Sequence, residues 1–304
     1  MAADRVVEMD GRTVRLTSLG KLIYPQAGYT KAAVLSYYAR IGPTLLPHLR
    51  GRAMTLKRYP EGVEGPHFYD KHCAGRPDWL PTAPMWRDRK GEEIHFCRIE
   101  DTAALMWSVN RGNLEMHPLL SVAPDFDTPT TLAFDLDPGE PAGMLDAAEI
   151  ALLLRDMLAG VGLRSWPKSS GSRGVQVYAP LNSPASFEAA KGFARSVAEV
   201  MASRMADRVV AKMDKRLRSG KVLVDWSQND RHKSTVAAYS LRAKLHRPTV
   251  SIPVTWQELE QAVDRGDETE LLVSPELALE RVREHGDLFA PVLACVQQLP
   301  TNGS

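Results

Sequence analysis

Three aspartates carry the chemistry that this sequence is best equipped to do. Asp135 and Asp137 lie in the stretch TLAFDLDPG, residues 131–139. Side chains two apart on a strand share a face. Leu132, Phe134 and Leu136 of the same stretch are apolar, so two carboxylates stand side by side on an otherwise hydrophobic strand. Each raises the other's pKa unless a cation neutralises them. Hard divalent ions such as magnesium and manganese take oxygen ligands of this kind. Asp225 ends the apolar part of LVDWSQN, residues 223–229, where a third carboxylate could meet the first two. Alone it reads as a cap on the turn that follows.

Two further segments suit an anion. The run KSSGSRG, residues 168–174, offers small residues that let backbone approach a ligand, three serine hydroxyls, and Lys168 and Arg173 as cations. Taken alone such loops are usually turns. The run AKMDKRLRSGK crowds Lys212, Lys215, Arg216, Arg218 and Lys221 just before Asp225. Such runs are mostly solvated faces, but this one leads a polyanion toward the carboxylates. Carboxylates, a phosphate cradle and a basic approach surface together make the toolkit of two-metal phosphoryl transfer.

Strands and helices must position these groups. The patterns predict strands at 13–16, 53–58, 94–99, 175–179, 221–225 and 235–240, and an acidic strand within 131–139. Helices are expected at 31–41 with Thr30 as cap, 102–111, 145–158 with a stop at Gly160, 186–201, and from Trp256 with Thr255 as cap. Residues 59–84, rich in Gly, Pro and charge, read as a long irregular loop. The interleaving gives a mixed α/β fold. With no evident linker, residues 1–300 read as one catalytic unit of two lobes, followed by a flexible tail at 301–304.

Composition narrows the partners. Lys and Arg number 38 against 37 Asp and Glu in 304 residues, a formal charge of +1, so any nucleic-acid surface must come from local clustering. Hydrophobic residues make up 44% and charged residues 25%, an ordinary globular balance. Cys73, Cys97 and Cys295 are odd in number and show no CxxC, which predicts unpaired thiols in a reducing compartment. His67, His72 and Cys73 match no zinc spacing, and a zinc cluster is rejected. No signal peptide and no apolar run of about 20 residues is present, so no membrane partner is expected. A cytosolic protein is expected, nucleoid-associated if the source is bacterial.

The order of blocks adds a resemblance. LTSLGKLIYPQAGYTKAAVLSYYARI, LPHLRGRAMTLKRYPEGV, FYDKH, NLEMHP, FDLDPG, SSGSRG, VDWSQN, YSLRAK and HRPTVSIPVTWQEL resemble, nearly end to end, the polymerase domain of bacterial ligase D. That domain belongs to the archaeo-eukaryotic primase superfamily and works in non-homologous end joining. The resemblance implies an RRM-like catalytic sheet joined to an N-terminal α/β lobe. It makes Asp135, Asp137 and Asp225 a metal triad for two Mn2+ or Mg2+ ions. The primer 3′-hydroxyl attacks the α-phosphate of a nucleotide, with ribonucleotides preferred over deoxyribonucleotides, and pyrophosphate leaves. His117, Ser170, Arg173 and Arg242 fall on nucleotide-contacting positions, and Lys57 lies near the triphosphate. Lys21 and Lys31 match lysines that grip a 5′-phosphate at a gap or DNA end. Phe68 and Tyr69 match an aromatic pair that stacks at that end, and Arg218 an arginine on the template strand. Ku and a DNA ligase are partners by the same resemblance.

One departure bears on the chemistry. Relatives commonly carry His where this chain has Gln176, beside the triphosphate; Gln can donate a hydrogen bond but cannot carry charge. The chain also shows no ligase motif and no phosphoesterase segment, which fits an excised domain or a paralogue that fills gaps or primes outside end joining. Two other readings compete. A haloacid-dehalogenase-type phosphatase also uses a strand-borne DxD, but Gly139 stands where it needs Thr or Val. A DNA-end-bridging module with weak catalysis is favoured only by Gln176.

Overall fold

The acidic stretch forms the strand Thr131–Pro138, the middle of a five-stranded sheet in the computed structural model, which describes residues 4–87 and 91–300. The tail expected at 301–304 lies outside the described residues. The sheet runs Trp166–Ser169, Val175–Pro180, Thr131–Pro138, Val222–Asp225, Val209–Val210, all antiparallel except the last pair. Helices Met144–Gly160 and Phe187–Arg204 pack on it. The first buries Ala147, Ala151, Leu154 and Leu158, and the second Ala190, Ala194, Ala198 and Met201, one face at helical spacing in each case. Ser186 caps the second helix, accepting from Ala189 N. Where the Val222–Asp225 strand ends, the buried amide of Asn229 takes over its place. It accepts from Ala133 N at 2.9 Å and donates to Ala133 O at 2.8 Å, closing the ladder that would otherwise leave both groups unpaired.

The chain folds as two compact units. One holds this acidic sheet, with Asp125–Lys233, Ser251–Val273 and the residues from Asp287 on; the other holds the residues up to Pro124, Ser234–Val250 and Ser274–Gly286. In the latter, the strand Ala53–Arg58 pairs with Phe68–Asp70, Glu92–Arg98 and Asn113–Pro118, and Thr82–Arg87 pairs with Glu92–Arg98. Helix Lys31–Leu49 packs against helix Thr102–Asn110. Three buried tyrosines donate to backbone carbonyls: Tyr24 to Arg242 O, Tyr37 to Tyr239 O and Tyr38 to Leu114 O. Their rings fill the core while the hydroxyls of Tyr24 and Tyr37 fix the 239–242 segment.

Several expectations change. The helix from Lys31 does not stop at Ile41 but continues through Pro43 and Pro47 to Leu49, because Leu45, Leu46 and Leu49 are buried and outweigh the lost backbone bonds. The expected strand at 235–240 is absent; Thr235 N and Ala237 N donate to Pro118 O and Met116 O, but Tyr239 has φ +66°, which breaks an extended run, and a strand forms at Leu241–Arg242, paired with Thr249–Val250. The 59–84 loop contains a strand, Phe68–Asp70. Lys168 and Ser169 belong to a strand rather than to the serine loop. Cys73 and Cys97 form a disulfide with Cα atoms 5.0 Å apart, against the expectation of unpaired thiols, and only Cys295 is free and buried. No helix among the described residues is long and apolar enough to cross a membrane.

Candidate active site

The strand register builds a polar row across the acidic sheet. Lys168 stands opposite Gln176, Gln176 opposite Asp135, and Asp135 opposite Asp225. Gln176 Nε2 donates to Asp135 Oδ1 at 2.9 Å, and its Oε1 accepts from the fully buried Lys168 Nζ. Withdrawal from solvent, then the Asp137 charge, push Asp135 up to about 7; Asp225 adds to this, while Gln176 and Lys168 oppose it. At Asp135, burial and the neighbouring carboxylates outweigh Gln176 and Lys168, and the oxygen donors of the pair suit a hard divalent cation. Two glycines make room for this arrangement. A Cβ on Gly139 would sit 2.1 Å from Arg218 O, and one on Gly174 would sit 2.4 Å from Leu136 O.

Asp225 is differently engaged. Its Oδ1 accepts from Ser227 N at 2.8 Å and from the Ser227 hydroxyl at 2.6 Å, and its Oδ2 accepts from Gln228 Nε2 at 2.8 Å. It caps its own turn. Among the described residues no group of three His, Cys, Asp or Glu side chains is arranged to hold a metal ion. Asp135 and Asp137 are the donors that fit one, and Asp225 joins them only by giving up these turn contacts.

The serine loop is partly self-satisfied. Ser170 Oγ accepts from Ser172 N and Gly174 N, and Ser169 Oγ accepts from Gly171 N. Arg173 pairs with Glu140 and donates to Ala142 O at 3.1 Å. Arg218 donates through Nη2 to Met213 O, while its buried Nε has no hydrogen-bond partner.

The other unit inverts this charge pattern. Glu115, fully buried on Asn113–Pro118, collects five donors. Oε1 accepts from Lys57 Nζ at 3.2 Å, the Tyr59 hydroxyl at 3.2 Å and Ala243 N at 3.0 Å. Oε2 takes His117 Nε2 at 2.9 Å and Arg242 Nη1 at 3.1 Å. Burial by itself would raise Glu115, but Arg242, His117 and Lys57 outweigh it and hold its carboxyl well below the usual range. Burial depresses Lys57 and His117, against the pull of Glu115. Arg242 Nε is buried without a hydrogen-bond partner. Three expected nucleotide contacts, Lys57, His117 and Arg242, thus meet at one carboxylate.

The same unit holds four of the five expected DNA contacts, Lys21, Lys31, Phe68 and Tyr69. Lys21 and Lys31 line a cavity of about 240 Å³ together with Ser18, Arg58, Asn110 and Arg111. Lys21 pairs with Glu61 at 2.9 Å. Burial first, and Lys21 second, lower Lys31 to about 8. Phe68 and Tyr69 are both exposed, but as neighbours on a strand they point to opposite faces. Tyr69 meets His117 edge-on at 6.3 Å, while Arg58 lies 5.1 Å from the Phe68 ring. They make two separate contacts within the protein.

Comparison with known proteins gives the family. A family model described as the LigD primase-polymerase domain matches residues 30–289. The chain belongs to the LigD primase-polymerase family. It is 39% identical over 285 residues to the multifunctional non-homologous end joining DNA repair protein LigD of Mycobacterium tuberculosis, covering 91% of this chain and 36% of that protein. It is 29% identical over 279 residues to the bifunctional non-homologous end joining protein LigD of Bacillus subtilis, covering 91% of this chain and 43% of that protein. The solved polymerase domain of M. tuberculosis ligase D in complex with DNA superposes with a TM-score of 0.85 at 36% identity, covering 93% of this chain and 99% of that one. The mixed helix-and-strand fold is the one this LigD-family domain adopts. The chain spans less than half the length of these curated LigD relatives.

Two residues of this LigD-family chain escaped the sequence reading as site organisers. Glu115 carried a usable signal: in NLEMHP it stands two before His117, the same spacing that exposed Asp135 and Asp137. Lys168 carried none, because its assignment to the serine loop hid its strand register with Gln176.

Proposed function

We propose that this chain is a template-directed nucleotidyltransferase that extends a DNA primer or fills a short gap at a break, in bacterial non-homologous end joining. The observation that carries this reading is the carboxylate pair Asp135 and Asp137 on the central strand, with Asp225 as the register partner of Asp135. These residues would hold two divalent ions, Mn2+ or Mg2+. Such ions, when bound, reduce the repulsion between a triphosphate and an approaching hydroxyl. The primer's 3′-hydroxyl is the nucleophile, the α-phosphate is attacked and pyrophosphate leaves, so no protein side chain forms a covalent bond.

The protein's own groups bind and orient. Arg242, with an unpartnered buried Nε, and Lys57 are the cations of the Glu115 cluster that suit a triphosphate. Ser170 and Arg173 suit a phosphate anion once Arg173 exchanges Glu140 for it. Lys21 and Lys31 in their cavity suit a 5′-phosphate, which positions DNA without reading sequence. Tyr69, Phe68 and Arg218 are assigned to the DNA by the family resemblance, as is the preference for ribonucleotides. Ku and a ligase are the proposed partners.

The test is primer extension on a gapped duplex with manganese, with and without a 5′-phosphate, comparing NTP with dNTP. Incorporation that is stimulated by the 5′-phosphate and lost in Asp137→Ala is expected. No incorporation by the wild type, or undiminished incorporation by Asp137→Ala, overturns the reading. The turn contacts of Asp225 favour one alternative, an end-bridging module with weak catalysis. It would win if the protein held 5′-phosphorylated ends together without binding a metal–nucleotide complex.

A further inference from the structure

The most unusual buried group in the acidic sheet is a lysine. Lys168 has no exposed surface, yet a buried ammonium is costly unless it is hydrogen-bonded and neutralised. It donates to two neutral groups, Gln176 Oε1 and, at 2.6 Å, Ser251 Oγ, with the Tyr178 ring 5.5 Å away. A negative charge that it balances lies one residue further along the row, at Asp135.

We infer that Lys168 is a positioning residue for the metal-binding carboxylates, acting through Gln176. An ammonium has donors and no acceptor, so only the carbonyl end of the Gln176 amide can face it. That fixes the amide, and its Nε2 must then point the other way, at Asp135 Oδ1, 2.9 Å off. Asp135 is thereby held by one oxygen, with Oδ2 left for a ligand. Backbone pairing enforces the same order: Lys168, Gln176 and Asp135 are direct partners on three successive strands. Ser251 braces the far end, donating to Ser169 O at 3.0 Å while it accepts from Lys168. The chain needs an amide-like group at 176 that accepts on one side and donates on the other. Gln176 meets this need, so the glutamine preserves the hold on Asp135.

The inference rests on the proposal that Asp135 and Asp137 bind the divalent ion, and the experiment separates the two. Binding of Mn2+ alone is measured by the EPR signal of the free ion, for the wild type, Asp137→Ala, Lys168→Met, Gln176→Leu and the Lys168→Met/Gln176→Leu double variant. Extension kinetics give KM for Mn2+ and kcat for each. Residues that orient a metal ligand typically change affinity about 10–100-fold when removed. Lys168→Met and Gln176→Leu are each expected to weaken Mn2+ binding about tenfold, to raise KM for Mn2+ more than they lower kcat, and to show no further loss when combined. Gln176→His, which can also accept on one side and donate on the other, should restore binding. Unchanged binding in both single variants overturns the inference, as does a fully additive double variant, which would mean independent effects. Should Lys168→Met fail to fold, Gln176→Leu decides: weakened binding supports the chain and wild-type binding overturns it. A wild type that binds no Mn2+, or Asp137→Ala binding like the wild type, overturns the metal proposal and this inference with it.

Discussion

The acidic row and the Glu115 cluster are opposite solutions to burying charge. In the row, Asp135, Asp137 and Asp225 outnumber the buried Lys168, which reaches Asp135 through a neutral amide. In the cluster, one carboxylate is shared by Lys57, Arg242 and His117, and with Tyr59 and the Ala243 amide all five donors reach it directly. The consequence is visible in the two carboxyls. Asp135 is pushed up to about 7, whereas Glu115 is held well below its ordinary range. A site that is internally balanced can be rigid before any ligand arrives. A site with surplus charge stays incomplete until a counter-ion joins it.

Removing carboxylates should therefore have opposite effects in the two places. The largest is on activity: Asp135→Asn is expected to reduce nucleotide incorporation on the order of a thousandfold, several tenfold steps of lost transition-state stabilisation. Single-turnover extension at saturating manganese checks this. In the metal-free protein the same change should raise the melting temperature above pH 7, because it removes a repelled charge. Next comes Glu115→Ala, expected to cost about 3–5 kcal/mol of stability, since two buried cations lose their partner. Urea unfolding reads it. Equal destabilisation by both substitutions would erase the contrast.

The pH dependence sharpens the contrast further. A carboxyl whose folded pKa exceeds its unfolded value binds the proton more tightly in the native state, so its contribution falls as pH rises between the two values. For Asp135 that window runs from 3.8 to about 7. Metal-free wild type should lose stability across it relative to Asp135→Asn, and Mn2+ binding should weaken as pH falls below about 7, where protons compete for the site. Thermal melts and Mn2+ titrations over pH follow both. The smallest expected effect belongs to Lys31, lowered to about 8. Its charge is lost as pH rises through that value, so the preference for 5′-phosphorylated DNA should shrink severalfold above it, read by binding of matched phosphorylated and unphosphorylated ends. A preference that persists undiminished would remove Lys31 from the phosphate cavity.

Local pattern foretold much of this. The strand Ala53–Arg58 was legible from its sequence, as were the helix starts at Thr30, Ser186 and Thr255, each a hydroxyl that accepts from the third amide of its helix. What was missed depended on distant partners. Leu45 and Leu49 carry a helix past two prolines because the core receives them. Phe68–Asp70 becomes a strand because Ala53–Arg58 offers it an edge. Cys73 and Cys97, 24 residues apart, are paired by the fold, not by spacing.

The sequence by itself determined that Asp135 and Asp137 share a strand face. That follows from the two-residue period of an extended chain and needs no neighbour. Only the tertiary structure decided who stands opposite them. Cross-strand register set Lys168 against Gln176 and Gln176 against Asp135, and burial set three cationic or ionisable groups around Glu115. Register is fixed by the packing of whole sheet faces, which no local spacing encodes. The two carboxylates on one strand are thus a local fact, and the buried cation that answers them is a property of the fold.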